Sequence, residues 1–440
     1  MTKKRNTLLR LVSGAVLAMA LSLGMAAPAF ASGPPALDMM GTVDNPAQAA
    51  LTKILQVPAG TTTPAADFTF TLGKKSLDDS TTTASLAEMP TLGPKTVSFA
   101  AADATDSNTS TANTVDLAKE TGDLFAGVVW PHAGVYVYTV AETPGTYTIS
   151  NSFQEQMNYS SASYDLYVYV LEDATTGTCY VAGTSAHIVT VDGTNGTAAG
   201  EKVDPTPGTD GTTLVQPDGN YSQMTFTNSY LKTVTTDPGN PASDSALAIS
   251  KTVGGNFADT TKYFAFSVTV NNPDIVAGTA PYKAYVVDAN GVVGNIANNV
   301  STVSGPDSTG PYIEFTPGAP LTVNLMSGQR LSFVDLYVGS TFTVTEAAAA
   351  DYTPSCVLTL NGSANTFNGA ENTALTVPGS GTALIGEGAN SAAFMNTYKT
   401  VTPTGVSVDT LPFIIVIGAA VLALIGYIFA KSRKNAKHDA

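Results

Sequence analysis

The chain has 440 residues, with 20 Lys plus Arg against 35 Asp plus Glu and a formal net charge of −15. So acidic a surface repels a polyanion, which excludes nucleic acid as a partner. Two cysteines are too few for a disulfide framework. With no G-x-S-x-G, no H-E-x-x-H and no paired Cys, Ser/His, zinc and thiol chemistry all lack their parts, so no enzyme, metal or cofactor is expected.

The N-terminus reads as an export signal over residues 1–31. Lys3, Lys4, Arg5 and Arg10 precede an apolar stretch at 11–27, and Ala29-Phe30-Ala31 supplies the small-x-small pattern that signal peptidase cleaves. The secreted chain then begins at Ser32. Downstream, short alternating segments at 68–72, 135–142, 164–171, 263–270, 282–287 and 341–346 are bounded by Gly, Pro, Asn and Asp. Helical periodicity is scarce there, and strands with turn signals between them predict an all-β chain built of β-sandwiches. The length suits two domains, 45–232 and 246–399, joined by a Pro-containing linker at 233–245 that has no apolar pattern. Low-complexity stretches at 193–219 and 101–114 read as surface loops. Cys179 and Cys356 fall in different domains and are expected to pack as small apolar residues.

Three landmarks recur in the two halves. An early strand carries lysine (Leu51-Thr-Lys53-Ile-Leu55; Ile249-Ser-Lys251-Thr-Val253), a middle strand ends in glutamate (Tyr138-Thr-Val140-Ala-Glu142; Phe342-Thr-Val344-Thr-Glu346), and a last strand carries Asn228 or Asn396 after Phe226 or Phe394. Lys and Glu are 89 residues apart in the first copy and 95 in the second. Glu and Asn are 86 and 50 apart, and the 193–219 loop accounts for most of that difference.

Side chains of a strand alternate between faces, so residues of equal parity share a side. By that rule Lys53 lies with Leu51 and Leu55, and Lys251 with Leu247, Ile249 and Val253. Glu142 lies with Tyr138 and Val140, Glu346 with Phe342 and Val344, Asn228 with Met224 and Phe226, and Asn396 with Ala392 and Phe394. Each half is thus expected to aim one Lys, one Glu and one Asn at its own core. Burial drives an amine and a carboxyl towards their neutral forms. A neutral amine held against a carboxamide is a nucleophile, and a protonated Glu can stabilise the oxyanion and carry a proton to the departing ammonia. The expected product is a Lys-to-Asn isopeptide bond, with Glu142 and Glu346 catalysing a single self-directed event. Each bond closes a long loop, worth about 5 kcal/mol in the chain-entropy account of crosslinks.

The C-terminal stretch 411–430 is uncharged and long enough to span a bilayer, and Lys431, Arg433, Lys434 and Lys437 hold its end in the cytoplasm. Before it stands Val401-Thr402-Pro403-Thr404-Gly405. Pentapeptide, span and basic tail at 401–440 together resemble a sortase sorting signal, which implies cleavage between Thr404 and Gly405. The pentapeptide departs from the LPXTG form towards V-P-T-G variants, leaving the sortase class open. GVYVYTVAE at 134–142, MTFTNSY at 224–230 and AFMNTYK at 393–399 resemble the isopeptide-forming, Ig-like (CnaB-type) domains of Gram-positive backbone pilins, the streptococcal ones in particular.

That resemblance implies that Lys53 and Asn228, and Lys251 and Asn396, are crosslink partners. It implies a wall-anchored pilus shaft subunit whose partners are sortase, other copies of itself and peptidoglycan. Lys202, in Gly200-Glu-Lys-Val-Asp-Pro205 upstream of the last strand of the first domain, takes the place of the lysine that links one pilin to the next. The alternative is a monomeric wall-anchored adhesin or stalk that binds a host or bacterial surface ligand.

Overall fold

The computed structural model describes residues 41–103, 114–193, 196, 198–208, 221–276, 278–294, 303–304, 306–399, 415–417, 419–425 and 427. The export signal, the 401–405 pentapeptide with Thr404 and Gly405, and the basic tail lie outside these residues, as do parts of the two expected loops and of the 411–430 span. Residues 415–417, 419–425 and 427 are helical and exposed. Among the described residues no helix is long and apolar enough to cross a membrane.

The chain is all-β, and its strands sort into two groups. The first holds β1 (Thr52–Pro58), β2 (Ala66–Leu77), β3 (Lys95–Phe99), β4 (Thr114–Glu120), β5 (Gly134–Glu142), β6 (Glu155–Asn158), β7 (Ser163–Glu172), β8 (Cys179–Thr190), β9 (Lys202–Val203) and β10 (Thr225–Lys232). They form a four-stranded sheet, β4-β1-β10-β6, and a six-stranded sheet, β3-β2-β5-β7-β8-β9. A one-and-a-half-turn helix α1 (Thr83–Glu88), N-capped by the Thr82 side chain, lies between β2 and β3.

The second group holds β11 (Leu247–Gly254), β12 (Phe264–Asn271), β13 (Tyr282–Val287), β14 (Val303–Ser304), β15 (Tyr312–Phe315), β16 (Leu321–Leu325), β17 (Arg330–Phe333), β18 (Thr341–Glu346), β19 (Tyr352–Leu360), β20 (Ser363–Asn368), β21 (Leu375–Val377), β22 (Ala383–Leu384) and β23 (Ser391–Tyr398). An eight-stranded sheet, β14-β15-β13-β17-β11-β23-β19-β20, faces a five-strand one in which β16-β12-β18-β21 run in order and β22 also pairs with β18.

Each group closes over its own apolar core. β2 begins buried, exposed, buried, with Ala66, Phe68 and Phe70 inward and Asp67 and Thr69 outward, and β23 alternates likewise, with Ala392, Phe394 and Asn396 inward and Ala393, Met395 and Thr397 outward. In the first half Phe70 of one sheet meets Phe226 of the other at 4.9 Å between ring centroids; in the second Phe266 meets Phe394 at 5.1 Å. These four rings are all buried, and each contributes about 1.5–3 kcal/mol by leaving water.

The chain's order in each half sets the first strand beside the last, parallel to it. β1 runs with β10 in a register that pairs Lys53 with Phe226 and Leu55 with Asn228. β11 runs with β23 so that Lys251 pairs with Phe394 and Val253 with Asn396. The two registers are the same. Gly255, just after β11, has φ +105°, and an added Cβ would stand 3.0 Å from the Tyr398 carbonyl oxygen, so only glycine lets the chain turn away so close to β23.

Residues 233–245 are fastened down rather than extended between the halves. Val338 N–H donates to Lys232 O at 2.7 Å, the Ser332 hydroxyl donates to Pro241 O at 2.7 Å, and Val234 packs on the second core. Glu387 accepts from Thr62 N–H at 2.8 Å and lies 3.3 Å from Lys232 Nζ, tying the two halves together.

Candidate functional site

The register places one polar cluster in each core. In the first half Lys53 Nζ donates to Glu142 Oε2 at 2.8 Å, and Asn228 Nδ2 donates to Glu142 Oε1 at 2.7 Å. In the second, Lys251 Nζ and Asn396 Nδ2 both donate to Glu346 Oε1, at 2.6 and 2.8 Å. Lys53, Asn228, Lys251 and Glu346 are 0 % exposed, Asn396 is 1 % and Glu142 is 8 %, so water is excluded from both clusters.

Lysine and asparagine come from adjacent parallel strands, offset by two residues so that both side chains point inward. Glutamate comes from the facing sheet. Its partner across the ladder is Phe70 for Glu142 and Phe266 for Glu346. The first phenylalanine of each Phe-x-Phe pair lies under the amine: Lys53 Nζ is 4.6 Å from the Phe68 ring centroid and Lys251 Nζ is 4.3 Å from that of Phe264. Phe68-Thr-Phe70 and Phe264-Ala-Phe266 are therefore a fourth repeated landmark, present in the sequence but not among the three singled out.

Burial dominates the electrostatics. It pushes both lysines down to about 8, against the pull of their own glutamates, and it raises both glutamates above the ordinary carboxylate range. Both shifts favour one shared proton on a neutral amine and a neutral carboxyl. Such a pair can do two things that exposed ions cannot. The amine has a free lone pair, and the carboxyl has a proton to give.

The clusters differ around the asparagine oxygen. Asn228 Oδ1 accepts the Ser160 N–H at 2.7 Å. Asn396 Oδ1 and Glu346 Oε2 are buried with no hydrogen-bond partner. Two unpaired acceptors in one dry pocket are costly unless a proton lies on the carboxyl. Asp192 opposes the effect of burial on the first lysine, whereas at the second site burial pushes the Cys356 thiol up to about 12 and keeps it neutral; neither residue was expected at a site.

The expected linking lysine and the two cysteines lie elsewhere, as does His132. Lys202 is exposed on the two-residue edge strand β9, paired with His187. His132 occupies the turn before β5, where its carbonyl accepts the Tyr136 hydroxyl at 2.8 Å. Cys179 is half-buried and Cys356 is buried; both are free. Among the described residues no group of His, Cys, Asp and Glu could hold a metal ion.

The family described as "Domain of unknown function (DUF7601)" matches residues 245–398, the second group of strands. No curated protein sequence matches the chain. Among solved structures, a variant of the major pilin of Streptococcus pyogenes is 18 % identical, covering 80 % of this chain and 99 % of that one at a TM-score of 0.30. The major pilin of a further S. pyogenes serotype is also 18 % identical, covering 80 % and 98 % at 0.28. A pilus-presented adhesin is 12 % identical, covering 80 % and 99 % at 0.24.

Proposed function

We propose that the chain is a structural surface protein of a Gram-positive bacterium, each half of which is a β-sandwich domain that closes one Lys-to-Asn isopeptide bond, Lys53 to Asn228 and Lys251 to Asn396. The observation that supports this is the same buried Lys, Glu and Asn constellation, in the same strand register, in both halves. In each, the neutral amine attacks the carboxamide carbon, and the carboxyl of Glu142 or Glu346 gives its proton to the nitrogen that leaves as ammonia and takes one from the attacking nitrogen in its place. The core supplies position and dryness in place of turnover. Tandem mass spectrometry of a protease digest tests it: branched peptides joining Lys53 to Asn228 and Lys251 to Asn396 are expected, and linear peptides carrying free Lys53 and Lys251 overturn it.

A bond between the first and last strands puts the covalent path of a domain at its two ends, so tension along the chain bypasses the sandwich. Together with the sorting-signal pattern at 401–440, this favours a pilus shaft subunit, cleaved at Thr404 by a sortase and joined to an amine of the next copy or to peptidoglycan. Exposed Lys202 is the amine assigned to that joint. Wall extracts should show an SDS-resistant ladder that Lys202→Ala collapses. A single band in the unmodified strain supports the anchored monomeric adhesin or stalk instead.

A further inference from the structure

The chain between β6 and β7 brings a backbone N–H onto the first cluster. β6 pairs antiparallel with β10 up to Asn158 opposite Ser229, and the Asn158 side chain donates to Ser229 Oγ at 3.1 Å. Two residues on, the Ser160 N–H leaves the ladder and donates to Asn228 Oδ1 at 2.7 Å. The Ser160 hydroxyl in turn donates to Asp192 and accepts the Ala162 N–H at 3.1 Å, so the donor is gripped from both sides. In the second half the last strand is flanked on that side by β19 along its whole length, and the residue paired with Asn396 is Pro354. Proline has no N–H to give, and Asn396 Oδ1 has no partner.

We infer that the Ser160 N–H is a catalytic oxyanion donor of the first site, with no counterpart in the second, so that the two bonds form by unequally assisted routes. This rests on the isopeptide reading above. When neutral Lys53 Nζ bonds to Asn228 Cγ, the carbonyl electron pair moves onto Oδ1, to which the Ser160 N–H donates. Glu142 gives its proton to Nδ2 and takes one from Nζ in its place, the pair on Oδ1 re-forms the carbonyl as the Cγ–Nδ2 bond breaks, and Nδ2 departs as ammonia. Because Oδ1 is already held, both oxygens of Glu142 are left for the two nitrogens, which is how they are used. At the second site Glu346 uses one oxygen for both nitrogens, and Asn396 Oδ1 is held by no donor.

The test follows both bonds in one molecule by quenched refolding of uncrosslinked full-length chain and peptide mapping, with the second bond as internal clock. In the unmodified chain the Lys53–Asn228 bond is expected first; equal rates, or the reverse order, overturn the inference. Replacing Ser160 by its α-hydroxy acid turns the N–H into an ester oxygen and should slow only the first bond, by about 10²–10³-fold, the range for loss of one oxyanion donor. An unchanged first bond in the ester variant overturns the inference even where the isopeptide reading holds. Ser160→Ala, which keeps the N–H, is expected to retain most of the rate. Absence of both branched peptides from the unmodified chain sinks the isopeptide reading itself, a result distinct from either of these.

Discussion

The two halves place the same three side chains on the same register and then surround them differently. In both, the lysine strand runs parallel to the asparagine strand with lysine opposite phenylalanine, and glutamate enters from the other sheet. What differs is everything that touches the asparagine oxygen and everything that anchors the start of the last strand. Ser222 stands six residues before Asn228 and Asn390 six before Asn396. The Ser222 hydroxyl donates to Ala50 O at 2.6 Å, and Asn390 Nδ2 donates to Ala246 O at 3.2 Å, so each ties the last strand to the residues leading into the first. Strand register is thus the shared requirement, and the residues that enforce it are interchangeable.

The largest expected effect comes from deleting a carboxyl. Glu346→Ala should abolish the second bond and leave the first intact, and Glu142→Ala the converse, each read by the corresponding branched peptide. Either change also strands a buried lysine, at a cost of about 3–5 kcal/mol, so the altered half should melt well before the other. Loss of both bonds from one substitution would mean that the halves do not react independently.

Changing pH should treat the two halves alike, because burial depresses both amines to about 8. Above that value the Lys and Glu pair loses its last proton, and no carboxyl proton remains for the departing nitrogen. Both rates should therefore fall as pH rises past about 8 in quenched-refolding assays. In uncrosslinkable Asn228→Ala and Asn396→Ala chains the sign for stability is opposite. Between about 8 and 10.5 the unfolded lysine holds a proton that the folded one does not, so stability rises with pH across that window. Denaturant melts at two pH values check it.

The smallest effects separate the two anchors. The Asn390 side chain makes five hydrogen bonds: it donates to Ala246, Gly386 and Gly388, and accepts from Asn361 and Gly386. Asn390→Ala is expected to cost about 3 kcal/mol, and Ser222→Ala, which loses the bonds to Ala50 and Met224, about 1–2 kcal/mol. Chemical denaturation of the uncrosslinked variants ranks them.

Much of this was legible in the residues. The alternating segments at 135–142, 164–171 and 341–346 lie within observed strands, since an inner apolar side chain every second position leaves the chain little choice of face; 282–287 is also a strand, but its Tyr285 and Val287 are buried too, in a small separate cluster with Val334. Parity also locates Lys, Glu and Asn on inner faces, but it is silent on which strands are neighbours. The parallel pairing of first and last strands is a long-range fact that only the folded chain holds. Ser160 acts through its backbone, which leaves no side-chain signature, and Pro354 matters for an N–H it lacks. The 233–245 segment has no periodicity because polar caps hold it; Asp244 accepts from Thr236 N–H at 2.8 Å and from Asp237 N–H at 2.7 Å. Hydrophobic pattern cannot register such ties.

The intact mass of recombinant residues 32–400 tests the central claim most directly. The account predicts a chain lighter than its sequence by two ammonia molecules, with the Glu142→Ala and Glu346→Ala double variant at full sequence mass. A folded, unmodified chain that weighs what its sequence dictates would contradict it.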